Sequence, residues 1–323
     1  MYSESLIKLA LLNQKGTQKA LAAQLKVSPT QISKWKSGEM MSFEMEDRVR
    51  QLAGIGERSP NLVYLTGGIE QADKWNNLIN YLAAEAMEES ETGYYTDILM
   101  RDEDYLADRT IDILKEMGVK IPSEFPAEIT ILSDGIDQDS GPDWIDAYEA
   151  LMIIPIVNSI STAFHSANDV YGFYAAYISG LLAFEFTDFD PDDFTGQVYS
   201  ELLAISFAKT GEQSQFSPTF NNFAYDTKKI LTKLIDSIKM LAMHNNLPLK
   251  AELSDLISGN SGWLGHEAER ESLGFNSERI HPDIYMNEIL CSHRLIHQVL
   301  PIICKKLGIT PEELEIDETK FTV

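Results

Sequence analysis

The chain has 323 residues, a formal net charge of −24 at pH 7, 44% hydrophobic and 24% charged residues. This is the composition of a folded globular protein, and it excludes a disordered or fibrous chain. The length suffices for one small and one large domain, and two cysteines are too few for a disulfide framework.

The first 53 residues are predicted to form four short helices that share one core. The first helix is "SLIKLALLNQ", with apolar side chains at three- and four-residue steps. The fourth begins at Ser42 in "SFEMEDRVRQLAG". The residues predicted to face inward are Leu6, Leu9 and Ala10 in the first helix and Phe43, Val49 and Leu52 in the fourth.

The second helix of this set begins in "GTQKALAAQLKV". Thr17 is a good N-cap for a helix that starts at Gln18. Leu21 and Leu25 then lie on one face, and Ala22 is small enough for a close crossing with the next helix. Val27 is expected to fill the turn that follows.

The third helix begins in "SPTQISKWKSGE". Ser28 as N-cap, Pro29 at the first helical position and Gln31 three residues after the cap predict a capping box. Ile32 and Trp35 are three residues apart and are expected to face inward. Gly38 stands where a left-handed residue ends a helix.

Residues 4–53, with these caps and spacings, resemble the helix-turn-helix domain of the lambda Cro and phage-repressor family, also called the xenobiotic-response-element (XRE) family. The resemblance implies that the third helix, about Pro29–Ser37, lies in the DNA major groove with its N-terminal residues at base edges. The positions expected to face DNA are Ser28, Pro29, Thr30, Gln31 and Lys34.

Each of these positions has a chemical role in that interpretation. Thr30 and Gln31 can hydrogen-bond base edges, and Lys34 can reach a guanine acceptor or a phosphate. Gln18 matches the family's phosphate-binding position at a helix N-terminus. Lys19 and Lys36 are further phosphate candidates.

Two positions differ from the family's usual pattern. The family usually has glycine where Lys26 stands, and a non-glycine residue with positive φ there costs about 1 kcal/mol. It often has glutamate where Lys36 stands, so this chain has an additional positive charge. A bundle that docks a protein instead of DNA is the alternative interpretation of the same helices.

The charge is divided unevenly along the chain. Residues 1–58 contain nine basic and six acidic residues (net +3), which leaves 17 basic and 44 acidic residues in 59–323 (net −27). A local positive patch can still bind phosphates, because exposed charges beyond about 8–10 Å are largely screened at physiological salt. The composition change and the turn residues in "GERSP" predict a domain boundary after Arg58.

Residues 59–323 are predicted to form a larger, mostly helical domain, with a possible subdivision near 120–145. Apolar residues repeat at helical steps through most of this segment. Only residues 61–68, "NLVYLTGG", and 127–135, "AEITILSDG", look like strands. The expected fold class is therefore mainly α, with a small N-terminal bundle of four or five helices and little strand.

No secretion signal or membrane span is predicted. The N-terminus lacks a basic region followed by an apolar run and a cleavage site. The longest low-charge stretch, 151–184, is interrupted by polar residues, and its uninterrupted part, 170–184, is shorter than the ~20 apolar residues that a spanning helix needs. We expect a buried helix pair there, a cytoplasmic protein and no membrane partner.

No pattern of residues indicates catalysis, a cofactor or a metal. Nucleotide-binding glycine loops and nucleophile motifs are missing from the sequence. His293 and His297 have a spacing compatible with a metal, but no third ligand is indicated and a capping or packed pair is favoured. The expectation is a protein that is not an enzyme and has no catalytic residue, cofactor or metal site.

These observations predict a sequence-specific DNA-binding transcription regulator of bacterial or phage type. Its partner would be double-stranded DNA, bound as a homodimer because paired readers on two half-sites are the usual arrangement. Residues 59–323 would dimerise the chain or bind a small-molecule, peptide or protein effector. Alternatives are a peptide-sensing or antitoxin-like module whose main activity is partner capture, and an enzyme tethered to DNA.

Overall fold

The computed structural model describes residues 2–100, 104–129, 142–182, 191–211, 216–245, 247, 249–259, 263–272 and 282–310. These residues are mainly helical and contain no strand, which confirms the predicted mainly α fold. The helices are α1 (Tyr2–Asn13), α2 (Gln18–Leu25), α3 (Pro29–Lys36), α4 (Phe43–Ala53), α5 (Pro60–Thr66), α6 (Ile69–Glu88), α7 (Tyr105–Glu116), α8 (Pro142–Met152), α9 (Pro155–Tyr177), α10 (Ser179–Leu182), α11 (Pro191–Lys209), α12 (Phe220–His244), α13 (Asp255–Ser258), α14 (Leu264–Ser272) and α15 (Pro282–Leu307), with a 3₁₀ turn at Asp97–Leu99.

The strand predicted over 61–68 is wrong, because these residues form most of α5 and the turn that ends it. The Ser59 hydroxyl accepts a hydrogen bond from the Leu62 amide at 3.4 Å, and Pro60 occupies the first turn. Both are helix-start signals that outweigh the β propensity of a short apolar run. Of the second predicted strand, 127–129 are helical and 130–135 lie outside the described residues.

Gly67 ends α5 in a conformation that requires glycine. Its φ is 93°, in the left-handed region, and a Cβ there would clash with the backbone carbonyl of Ser123. The sharp turn between α5 and α6 therefore requires glycine at this position, and the next residue, Gly68, has a φ of 144° that also favours glycine.

The N-terminal helices pack around α1, which contacts α2, α3, α4 and α5. Leu6 and Ala10 are buried as predicted, together with Ile7, which the sequence interpretation did not include. Phe43, predicted to face inward, is wrong: it is 89% exposed. It lies six residues before the buried Val49, which at 3.6 residues per turn places it about 120° away from the inward side of α4.

Buried polar groups join the N-terminal helices to the rest of the chain through α5. Asn61 accepts a hydrogen bond from the Ser5 hydroxyl at 3.2 Å and donates one to the Asp108 carboxylate at 3.0 Å. The Ser59 amide donates to Asp104 at 2.8 Å. These bonds connect α1, α5 and α7 across the boundary predicted after Arg58, and they fix how the two parts meet.

The larger part of the protein is built around α9. This helix packs against α6, α11 and α14 and is buried along most of its length, where the sequence predicts a buried helix pair. The second member of that pair is only the short α10 within the described residues. α9 and α14 approach closely at two glycines, because a Cβ on Gly172 would lie 3.0 Å from the Cα of Gly265.

Among the described residues, no single helix is long and apolar enough to cross a membrane. Residues 146–152 and α9 are long and apolar enough for a membrane span only when they are taken together, and the two helices are bent by 94° relative to each other.

The buried junction at α5 gives a stability prediction. Asn61→Ala removes the donor to the buried Asp108 carboxylate and should lower the free energy of unfolding by about 1–3 kcal/mol. Urea unfolding followed by far-ultraviolet circular dichroism measures this change. The matched control is Asn80→Ala, which removes an exposed Asn80–Asn76 hydrogen bond in α6 and should change stability by less than about 0.5 kcal/mol. Equal effects of the two substitutions would contradict the role of the junction.

Candidate nucleic-acid interface

Helices α2 and α3 are joined by the three residues 26–28, and capping interactions fix this turn. Thr17 begins α2 as predicted, since its hydroxyl accepts a hydrogen bond from the Ala20 amide at 3.3 Å. At the end of α2, the Val27 amide donates to the Ala22 carbonyl at 3.0 Å. Lys26 has φ 59° and ψ 40°, so this non-glycine residue is left-handed.

The start of α3 forms half of the predicted capping box. The Ser28 hydroxyl accepts a hydrogen bond from the Gln31 amide at 3.2 Å, and Pro29 is the first helical residue. The reciprocal half is absent, because the Gln31 side chain donates to Glu39 Oε1 at 3.4 Å instead. The Ser28 cap holds the N-terminus of α3, while Gln31 connects to the end of the helix.

One face of α3 is buried and the opposite face is open. Ile32 and Trp35 are buried as predicted, on the side where α3 packs against α1 and α2. Residues that follow the i, i+3, i+4, i+7 pattern on the other side are all exposed: Thr30, Ser33, Lys34 and Ser37. We call these four residues the open face of α3.

The sequence-predicted site residues lie in three places. Thr30 and Lys34 lie on the open face. Pro29, Gln31 and Lys36 lie at its edges, since Lys36 is one turn after the buried Ile32 and Gln31 is one turn before Trp35. Ser28 is the exposed N-cap, and Gln18 and Lys19 form the first turn of α2, half-buried and exposed respectively.

Ser33 is a member of the open face that the sequence interpretation omitted. It lies three residues after Thr30 and next to Lys34, so helical spacing alone could have identified it. Its hydroxyl donates to the Pro29 carbonyl at 3.2 Å and keeps acceptor capacity. One exposed surface therefore has two hydroxyls, of Thr30 and Ser33, next to the ammonium of Lys34.

The positive charge on this part of the protein is partly neutralised. Lys34 pairs with Glu39 at 3.4 Å. Lys8 pairs with Glu4 at 2.6 Å and lies 4.9 Å from the centre of the Tyr64 ring, and its hydrogen bond to Glu4 raises the pKa of the Lys8 ammonium. Of the six lysines in residues 1–58, four form no ion pair within the described part of the chain: Lys15, Lys19, Lys26 and Lys36.

The rest of the chain contains a polar cavity of about 390 Å³ between α7, α11 and α12. Arg109 donates to Glu116 at 3.1 Å at its edge. Burial raises the pKa of the nearby Glu201 carboxyl, although the charge of Arg109 opposes that shift. An effector that binds residues 59–323 stays a prediction.

The histidine pair of α15 does not pack. His293 and His297 are both exposed, so the packed arrangement favoured from the sequence is wrong. Both lie on exposed parts of α15.

Comparison with protein-family models, with curated proteins and with solved structures finds no match to this chain. The features of this chain that bear on its function are the open face of α3, the caps that hold this helix and the charges around it.

The left-handed turn residue gives a second stability prediction. Lys26→Gly removes the steric cost of a side chain at φ 59° and should raise the free energy of unfolding by about 0.5–1 kcal/mol. The same replacement at the helical, exposed Lys19 should lower it by about 0.5–1 kcal/mol. Urea unfolding of the two variants measures both changes. Destabilisation by Lys26→Gly would show that the lysine side chain makes a stabilising contact in the turn.

Proposed function

We propose that the protein is a sequence-specific DNA-binding transcription regulator whose helix α3 reads the major groove. The observation that supports this proposal most strongly is the open face of α3. A major groove about 12 Å wide admits a helix, and polar side chains on its exposed face can then hydrogen-bond base edges. The rigid attachment of α3 through Ile32 and Trp35 holds that face in one orientation.

The residues of the open face have the chemistry that base reading requires. Thr30 and Ser33 have hydroxyls that donate and accept, and the Lys34 ammonium suits a guanine acceptor or a phosphate. The amides at the N-terminus of α2, next to Gln18 and Lys19, suit a phosphate of the DNA backbone. Base contacts would give selectivity, and the lysines would give affinity.

The net +3 of residues 1–58 supports the same proposal, because backbone phosphates dominate the affinity for DNA. The net −27 of residues 59–323 would repel DNA where it comes close, which lowers binding to sequences that offer no specific contact. We propose a homodimer as the binding form, since two readers on adjacent half-sites make twice the contacts of one.

The direct test is a binding assay with duplexes selected by the full chain from a random-sequence pool. Thr30→Ala combined with Lys34→Ala should weaken binding to the selected duplex by at least about 30-fold, because each of the two base contacts contributes about 1–3 kcal/mol. Fluorescence anisotropy at several salt concentrations measures the loss.

Two controls accompany this test. Lys74→Ala removes an exposed lysine of α6, paired with Glu70 at 2.9 Å, and should leave binding unchanged. Lys36→Ala should weaken binding to selected and random duplexes by the same factor, as expected of a phosphate contact. Failure to select any preferred sequence, or normal binding by the double variant, would refute the proposal.

Glu39 gives a prediction in the opposite direction. Its carboxylate holds Lys34 and Gln31 at 3.4 Å each and would lie near the DNA phosphates. Glu39→Gln should therefore strengthen DNA binding by roughly threefold to tenfold at low salt, with a smaller gain at high salt. The matched control is Glu70→Gln, which releases Lys74 in α6 and should have no effect. Weaker binding by Glu39→Gln would mean that Glu39 positions the reading side chains.

A further inference from the structure

Helix α15 exposes a large amount of apolar surface. It has 26 residues and packs closely against none of the other helices in the described part of the chain. Eight of its large apolar side chains are 40% to 68% exposed. We call them the apolar stripe of α15: Leu290, Leu295, Ile296, Val299, Leu300, Ile302, Ile303 and Leu307.

The polar side of α15 faces the protein's own body. The Arg294 guanidinium donates a hydrogen bond to the backbone carbonyl of Met243, near the end of α12. Ile303 is nine residues after Arg294, which at 100° per residue places it on the opposite side of the helix, and Ile296 lies close to that direction. Apart from Leu290, which lies one turn before Arg294 on the same side of the helix, the apolar stripe therefore points away from the body.

The exposed area is large enough to require a partner. With about half of each side chain uncovered, the stripe exposes on the order of 600 Å² of apolar surface, at the upper limit of ~300–600 Å² for the largest patch on a typical monomer. A stable interface of standard size buries ~800 Å² on each partner. A helix that contributes most of such an area can hold two chains together.

The charges at the ends of α15 indicate which partner fits. Asp283 and Glu288 lie in the first two turns of α15, and Lys305 and Lys306 lie in its last turn. Two copies of α15 packed antiparallel would bring each acidic end next to the partner's basic end, and their helix dipoles would also be opposed. A parallel pair would instead bring like charges together.

We propose that the apolar stripe of α15 is the dimer interface of this protein, formed with the antiparallel α15 of a second copy. The pairing is isologous, since the same surface serves both chains, and it closes after two copies. The inference deepens the proposed function by naming the surface that pairs the two readers. The dimer interface is inferred from α15 alone, and its test uses no DNA. The dimer can therefore fail while DNA binding by α3 stands, and the reverse.

Sedimentation equilibrium of the full chain tests the interface. The wild-type chain should sediment at twice its mass of 36.3 kDa at micromolar concentrations. Ile296→Glu should weaken dimerisation by roughly 100-fold or more, because it places two unpaired carboxylates in the centre of the interface. The matched control is Ile153→Glu, at a residue that is 79% exposed between α8 and α9, and it should remain a dimer. Far-ultraviolet circular dichroism checks that both variants keep the helical content of the wild type.

Charge reversal tests the antiparallel arrangement. Lys305→Glu with Lys306→Glu should weaken dimerisation by about 10-fold, and adding Asp283→Lys and Glu288→Lys should restore it. In a parallel pair the lysine reversals would have no effect, because like charges face each other before and after the change. A monomeric wild-type chain, a dimeric Ile296→Glu variant or lysine reversals without effect would each overturn the proposal. Co-flotation of a monomeric chain with vesicles of phosphatidylglycerol and phosphatidylcholine would overturn it in favour of a lipid surface.

Discussion

The burial of Ile32 and Trp35 is the constraint on which the proposed site depends. These two side chains fix the rotation of α3 about its axis, because they occupy the core shared with α1 and α2. The cap at Ser28 fixes where the helix starts, and the left-handed Lys26 fixes the turn before it. Because the rotation and the start of α3 are fixed, the polar residues on its open face also have a fixed direction. A reading surface can therefore be rigid although every residue on it is exposed.

The two parts of the chain have opposite net charges, but they are joined in the structure. Buried hydrogen bonds through Asn61 and Ser59 tie the net-positive N-terminal segment to the acidic body. Arg58 makes ion pairs with Asp73 at 2.8 Å and with Asp104 at 3.7 Å, so part of the basic charge already serves the junction. The charge available to DNA is thus smaller than the sequence count suggests, and it is concentrated on the lysines that form no ion pair around α2 and α3.

Local sequence signals predicted the parts of the fold that local interactions decide. The caps at Thr17 and Ser28 and the inward pair of α3 are all set within a few residues, and the structure has them as expected. Errors arose where a local signal was overlooked or where contacts farther along the chain decide. The 61–68 run is helical because Ser59 and Pro60 begin a helix there, and burial by α1, α6 and α7 adds to it. Gln31 bonds to Glu39 eight residues later instead of to Ser28. Periodicity predicted α15 as a helix, but only the structure shows that nothing in the described part of the chain covers its apolar stripe.

The central claim is that the open face of α3 reads the DNA major groove. Methylation protection on a duplex selected by the full chain tests it most directly, because dimethyl sulfate attacks guanine N7 in the major groove and adenine N3 in the minor groove. If α3 reads the major groove, guanine N7 positions in each half-site are protected, and Thr30→Ala combined with Lys34→Ala removes that protection. Protection confined to adenine N3, or no protected position on any selected duplex, would contradict it.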